Sequence, residues 1–377
     1  METRKPVRLD ALTGLRCLAA INIVFFHFAD PRSFGFLAPV VNAGYIALGL
    51  FFLLSGFVLG YNYAGAAQAS ALDAKRFWKA RFTRLYPVYL LSMLLSWRMV
   101  MPEYGAHAQP VCWHGVALTG QHGMFWVGMA LAPLLLQGWI PSLATFLNTP
   151  AWAMPAEAFM YALFPWLARI KPPQRPGRAL MQLAGVWALG MLPGALYLII
   201  QPDGIAHPDR WSWGHWLVAL KYTPLPHLAS FVFGILLAGL DGRVARAGRL
   251  RVALGLAGFA GVLGLLYMGS IVPYALLHDG LLMPLFGCIV LGLAGENWLA
   301  SALSLRPLVM VGEASYCLYI LHFNLWNWIH ESHLPERLGV NRFDPWISYA
   351  ALIAVALLAL HVVERPAQRL LRRWMGA

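Results

Sequence analysis

The sequence predicts an all-α, polytopic membrane helix bundle of about ten transmembrane helices, with both termini in the cytoplasm, and three observations carry that expectation. First, 59% of the 377 residues are hydrophobic and only 12% are charged, against roughly 25% charged in an average soluble domain. A water-soluble fold of this size would lack polar surface. Second, apolar runs close to the roughly 20 residues needed to cross a bilayer recur from end to end. Residues 1–377 therefore read as a single transmembrane domain with no fused soluble domain. Third, the 28 Lys and Arg that give a net charge of +12 fall mostly in short loops between apolar runs. That is the positive-inside pattern, and it accounts for the basic balance without nucleic acid as a partner.

Taken in order, the first run, Ala11 to Phe28, follows Arg4, Lys5 and Arg8 but contains Arg16 and lacks a small-residue cleavage site. It reads as a retained span, not a signal peptide. Spans are expected near 10–29, 44–63, 84–100, 151–168, 180–200, 224–240, 252–269, 273–295, 308–330 and 346–362. The second, GYIALGLFFLLSGFVLGYNY, carries Gly44, Gly49, Gly56, Gly60 and Ser55, small residues that permit close helix contact. The segment 124–139 (MFWVGMALAPLLLQGW) is read as re-entrant or lying at the outer surface. If it crossed, RIKPPQRPGR at 169–178 would lie outside, against the charge rule; an eleven-span arrangement is the alternative. Cys17, Cys112, Cys288 and Cys317 show no CxxC spacing, and His107, His114 and His122 show no zinc-site spacing, so neither a disulfide framework nor a metal is expected.

Four constellations carry chemistry. Ionisable groups inside a bilayer are costly, so Arg16 and His27 in one apolar helix stand out. Eleven residues at about 100° each put both on one face, about 16.5 Å apart along the axis; snorkelling to the two interfaces is the alternative reading. KRFWKARFTRLYP at 75–87 holds Arg81 and Arg84 three residues apart, forks that suit phosphates, although topology alone would also produce such a stretch. In AWAMPAEAFMYALFP at 151–165, Glu157 and Tyr161 are i, i+4 neighbours. The carboxylate could orient a histidine or accept a bond from a hydroxyl substrate, or serve a structural hydrogen bond. In GEASYCLYILHF at 312–323, Ser315, Tyr319 and His322 form a polar stripe that faces protein or water, as a substrate site or as a packing network.

Together these segments resemble the acyltransferase 3 family of bacterial membrane acyltransferases along nearly the whole chain. The residues that carry the resemblance are R-x10-H (Arg16, His27), FFLLSGF at 51–57, ARFTRLYP at 80–87, W-x4-E-x3-Y at 152–161, PLPHLASFVFG at 224–234, SYCLYILH at 315–322 and VERP at 363–366. The chain departs from the family at Ala153 and Pro155, where serines are usual. The resemblance implies a multi-pass protein of the bacterial plasma (inner) membrane. It implies transfer of an acyl group, most often acetyl, from acetyl-CoA or another acyl-CoA to a hydroxyl of a sugar or cell-surface glycan, which can be lipid-linked. His27, Arg16 and Glu157 would then be catalytic. Arg81, Arg84, Ser55, Tyr161, Ser315, Tyr319 and His322 would bind cofactor or substrate, with no metal. The alternative from a different class is a proton-coupled transporter or glycan-export protein, because intramembrane Arg, His and Glu also build proton relays.

Overall fold

The computed structural model describes residues 9–68, 71–106, 112–113, 116–117, 122–171, 173–244 and 248–376. These are helices and turns, apart from one two-residue antiparallel pair, Cys112–Trp113 against Val116–Ala117. His107 and His114 lie outside the described residues.

Among the described residues, six helical segments are long and apolar enough to cross a membrane: Asp10–Phe28, Pro31–Gln68, Pro176–Ile200, Arg249–Tyr267, Tyr274–Leu293 and Trp346–Met375. A seventh results if Arg306–Glu313 and Ser315–Glu331 form one broken span. The other expected spans are helical too, but Ala153–Leu167 and Leu228–Asp241 are 15 and 14 residues long, short of the roughly 20 that a straight crossing requires. Ala74–Ala106 has 33 residues, with a basic entry. The protein is thus an all-α, multi-pass membrane protein. The segment 124–139 is not one helix. His122–Leu131 has 10 residues, about 15 Å of rise, and the chain then turns, with Leu135 at φ 59°. That is half the roughly 30 Å of a hydrocarbon core.

The chain divides into two compact units whose pieces alternate in sequence: Met1–Ala74, Ala162–Arg210 and Pro226–Glu313 form the first, and Lys75–Tyr161, Trp211–Leu225 and Ala314–Ala377 the second. In the first unit, backbones approach through glycine. A β-carbon at Gly56 would lie 2.0 Å from the Phe231 carbonyl oxygen, and one at Gly234 2.1 Å from that of Leu53. The helices Ala47–Gln68 and Leu228–Asp241 therefore interlock with Leu53, Phe57 and Phe231 fully buried between them. Between helices in lipid, such van der Waals fit replaces the hydrophobic drive. The same unit buries Arg251, which donates to Asp241 Oδ1 at 2.8 Å and to the carbonyls of Leu291 and Val244 at 2.6 and 3.0 Å.

The second unit is held by a polar ladder. Ser96 donates to Asn324 Oδ1 at 3.1 Å, Asn324 Nδ2 to the Ser92 carbonyl at 2.9 Å, and the Tyr316 hydroxyl to the Leu85 carbonyl at 2.5 Å. These bonds join the helices Ala74–Ala106 and Ser315–Glu331, and buried polar groups that are fully satisfied specify one register. Trp346–Ala359 packs beside Ser315–Glu331 and runs into a π-helical turn, Leu360–Glu364, before the basic helix Arg365–Met375.

Candidate active site

In the first unit, Arg16 and His27 both lie half-buried on the helix Asp10–Phe28. The Arg16 guanidinium lies 5.7 Å from the Phe51 ring centre, a cation–π arrangement that holds its fork in place. His27 occupies the last turn, with Nδ1 3.2 Å from the Ile23 carbonyl. A carbonyl only accepts, so Nδ1 donates, and in the neutral ring the basic lone pair sits on Nε2. Phe26 lies edge-on to the imidazole at 5.0 Å. Arg210 lies over the same Phe26 ring at 5.1 Å and donates to the Asn42 carbonyl at 3.0 Å. This arginine was not singled out from sequence, because an arginine in a polar loop carries no signal of its own. Ser55 is half-buried on Ala47–Gln68, one residue before the close contact at Gly56.

The second unit assembles most of the other candidates. Arg81 lies over two rings, Phe77 at 5.6 Å and Tyr161 at 5.9 Å. The Tyr161 hydroxyl donates to Glu157, its neighbour one turn earlier, and Trp78 Nε1 donates to the Tyr161 carbonyl at 3.1 Å. Arg84, one turn beyond Arg81, stands in the field of the Glu157 and Glu364 carboxylates and the Tyr161 and Tyr316 hydroxyls. The spacing of two separate motifs thus resolves into one cluster of two arginines, a tyrosine and a carboxylate. Glu364 belongs to it and was missed as a functional group, although it stands in the VERP motif. It is 5% exposed, and accepts from Cys317 Sγ and from Gln368 Nε2, each at 3.1 Å. An acid directly after the last apolar run is the signal that could have found it.

The expected polar stripe on Ser315–Glu331 divides. Tyr319 donates to the Pro150 carbonyl at 2.8 Å, and His322, fully buried, has Nδ1 2.6 Å from the Tyr319 carbonyl. The Tyr319 bond and that from Asn148 to the Ile320 carbonyl at 2.8 Å tie the helix to the turn before Ala153, whereas the His322 contact stays within the helix. Ser315, 1% exposed, has no hydrogen-bond partner for its hydroxyl among the described residues. Ala153 and Pro155, which stand where serines were expected, are respectively 2% exposed and packed on Gly138.

A sequence model of the acyltransferase domain (acyltransferase 3) matches residues 9–363. The acyltransferase MdmB of Streptomyces mycarofaciens is 30% identical over 98% of this chain and 94% of its own length. The O-acetyltransferase OatA of Staphylococcus aureus is 21% identical over 97% of this chain, which spans 58% of that protein. Protein 2 in the picA locus of Rhizobium radiobacter is 32% identical over 45% of the chain. No solved structure matches. With nearly the whole chain inside the matched range, including Arg16, His27, Arg81, Arg84 and Glu157, the chain belongs to the acyltransferase 3 family and is a membrane acyltransferase.

Proposed function

We propose that the chain is an O-acyltransferase of the bacterial inner membrane that moves an acyl group, acetyl in the simplest case, from acyl-CoA to a hydroxyl of a sugar or glycan. The observation that carries this reading is His27: a histidine at the end of an apolar helix, its tautomer set by Ile23, on the same helix as Arg16. Nε2 takes the proton of the acceptor hydroxyl as its oxygen attacks the thioester carbonyl. The new C–O bond forms, the C–S bond breaks, and the proton passes on to the departing CoA thiolate. A positioned base of this kind contributes about 10²–10⁴-fold. Arg81 and Arg84 hold the phosphates of the donor as planar forks, and Glu157, hydrogen-bonded by Tyr161, sets the charge beside them. OatA, an O-acetyltransferase by name, supports oxygen as the acceptor atom and acetyl as the group moved. The two termini and the basic loop at 169–178 are assigned to the cytoplasm by the charge rule.

The test is transfer of label from radiolabelled acetyl-CoA to surface glycan in cells that express the wild type, His27→Ala, or nothing. Protein-dependent label that falls at least about 10²-fold in His27→Ala is the expected result. Wild-type transfer by the variant would remove the base role. No label from well-expressed wild type, with acetyl or longer acyl donors, would overturn the acyl-CoA reading.

A further inference from the structure

A second polar cluster lies within the first unit, outside the acyl-transfer roles assigned above. His227 immediately precedes the helix Leu228–Asp241. His278 closes the short helix Tyr274–His278, Asp279 follows it, and Gly280, at φ 98°, breaks the chain before Met283–Leu293. One imidazole nitrogen from each histidine and one carboxylate oxygen all lie within 4.8 Å of one another. His278 Nδ1 is 3.8 Å from Asp279 Oδ1. Asp279 is 3% exposed, and neither of its carboxylate oxygens has a hydrogen-bond partner among the described residues. Its backbone is confined: a β-carbon at Gly194, on the helix Pro176–Ile200, would lie 3.3 Å from the Asp279 β-carbon and 2.7 Å from the Ala275 carbonyl oxygen.

Buried carboxylates are hydrogen-bonded, paired or bound to a metal, because an isolated one loses far more hydration than its surroundings return. Here the groups that face the carboxylate are two imidazoles held among rings. Phe52 lies 5.3 Å from His227, and Tyr45 is stacked on His278 at 5.8 Å with an angle of 8°. Two imidazole nitrogens and one carboxylate oxygen suit zinc and its first-row neighbours, whereas magnesium and calcium select oxygen ligands. Tetrahedral zinc sets its ligand atoms about 3.3 Å apart, which small rotations of the His278 ring and the Asp279 carboxyl can reach. Three protein ligands leave a fourth position for water or for an oxygen of a bound molecule.

We propose that His227, His278 and Asp279 form a binding site for a single divalent cation of the zinc class. The site stands on the first unit alone and does not depend on the acyl-CoA reading. The test uses full-length protein, purified in detergent with a tag free of histidine, stripped with chelator, incubated with Zn²⁺ or Co²⁺ and passed through gel filtration. Wild type should retain about one metal per chain. The cobalt form should show the visible absorption of a low-coordinate nitrogen and oxygen site. Asp279→Asn and His227→Gln should bind at least about tenfold more weakly, as loss of ligand support does at metal sites, with unchanged elution. Wild type without retained metal or without visible cobalt bands would overturn the proposal, and that measurement needs no variant. Equal retention by the variants would do the same, assigning the metal to other histidines.

Discussion

Arg81 shows how a motif gains geometry only in the fold. Two arginines three residues apart are a topology signal as much as a phosphate site. The rings of Phe77 and Tyr161 on either approach to the Arg81 guanidinium make it an oriented fork. Arg81→Lys keeps the charge and loses the plane. Because a hydrogen bond to a charged group contributes about 1.5–3 kcal/mol, the KM for acyl-CoA should rise about tenfold or more, while kcat changes little; steady-state kinetics in proteoliposomes would measure both. Tyr161→Phe separates the two functions of that side chain. The ring that supports Arg81 remains, but the hydroxyl that donates to Glu157 is gone. Because Glu157 sets the charge beside the donor arginines, a change in the KM for acyl-CoA with kcat little altered is expected, and a fall in kcat with KM unchanged would instead assign Glu157 to the chemical step.

The helices of the first unit are fixed by two kinds of contact that respond differently to substitution. The glycine contact between Ala47–Gln68 and Leu228–Asp241 has no space for a methyl group, since the obstacle at Gly56 is the Phe231 backbone carbonyl, which cannot rotate aside. Gly56→Ala should therefore cost about 1–3 kcal/mol as overpacking, read as a lower thermal midpoint in detergent. The Arg251–Asp241 pair is buried, with side chains 1% and 9% exposed. Asp241→Leu leaves a buried cation without its counter-charge and should cost about 3–5 kcal/mol. The double replacement Asp241→Leu with Arg251→Met should recover much of that loss, because no isolated charge remains. If the double variant is as unstable as the single, the pair contributes more through the carbonyl bonds of Arg251 than through charge.

The class of the molecule and the pairing of its nearest polar residues were legible in the sequence because both are local. Apolar runs gave the six long apolar helices, R-x10-H gave one helix with two polar groups, and Glu157 with Tyr161 followed from i, i+4 spacing. What could not be read depends on backbone breaks and long-range approach. The run 273–295 looks like one helix, yet Gly280 splits it and turns His278 and Asp279 toward His227. Likewise Glu364 is brought to Cys317 by a π-helical turn that no periodicity announces. Topology is the property on which these readings bear together. The 10-residue helix His122–Leu131 is too short to cross; on the proposed topology the loop containing Gln174 is expected on the side of the termini and the loop containing His207 on the opposite side. Both positions are exposed. In a background with Cys112→Ala, a cysteine at position 207 should react with a membrane-impermeant maleimide on intact cells, and one at position 174 only after lysis. Labelling of position 174 from outside would mean that the segment 124–139 crosses after all. The charge rule would then be broken at a short loop that carries four basic residues, and every segment after residue 139 would need a new assignment of sides.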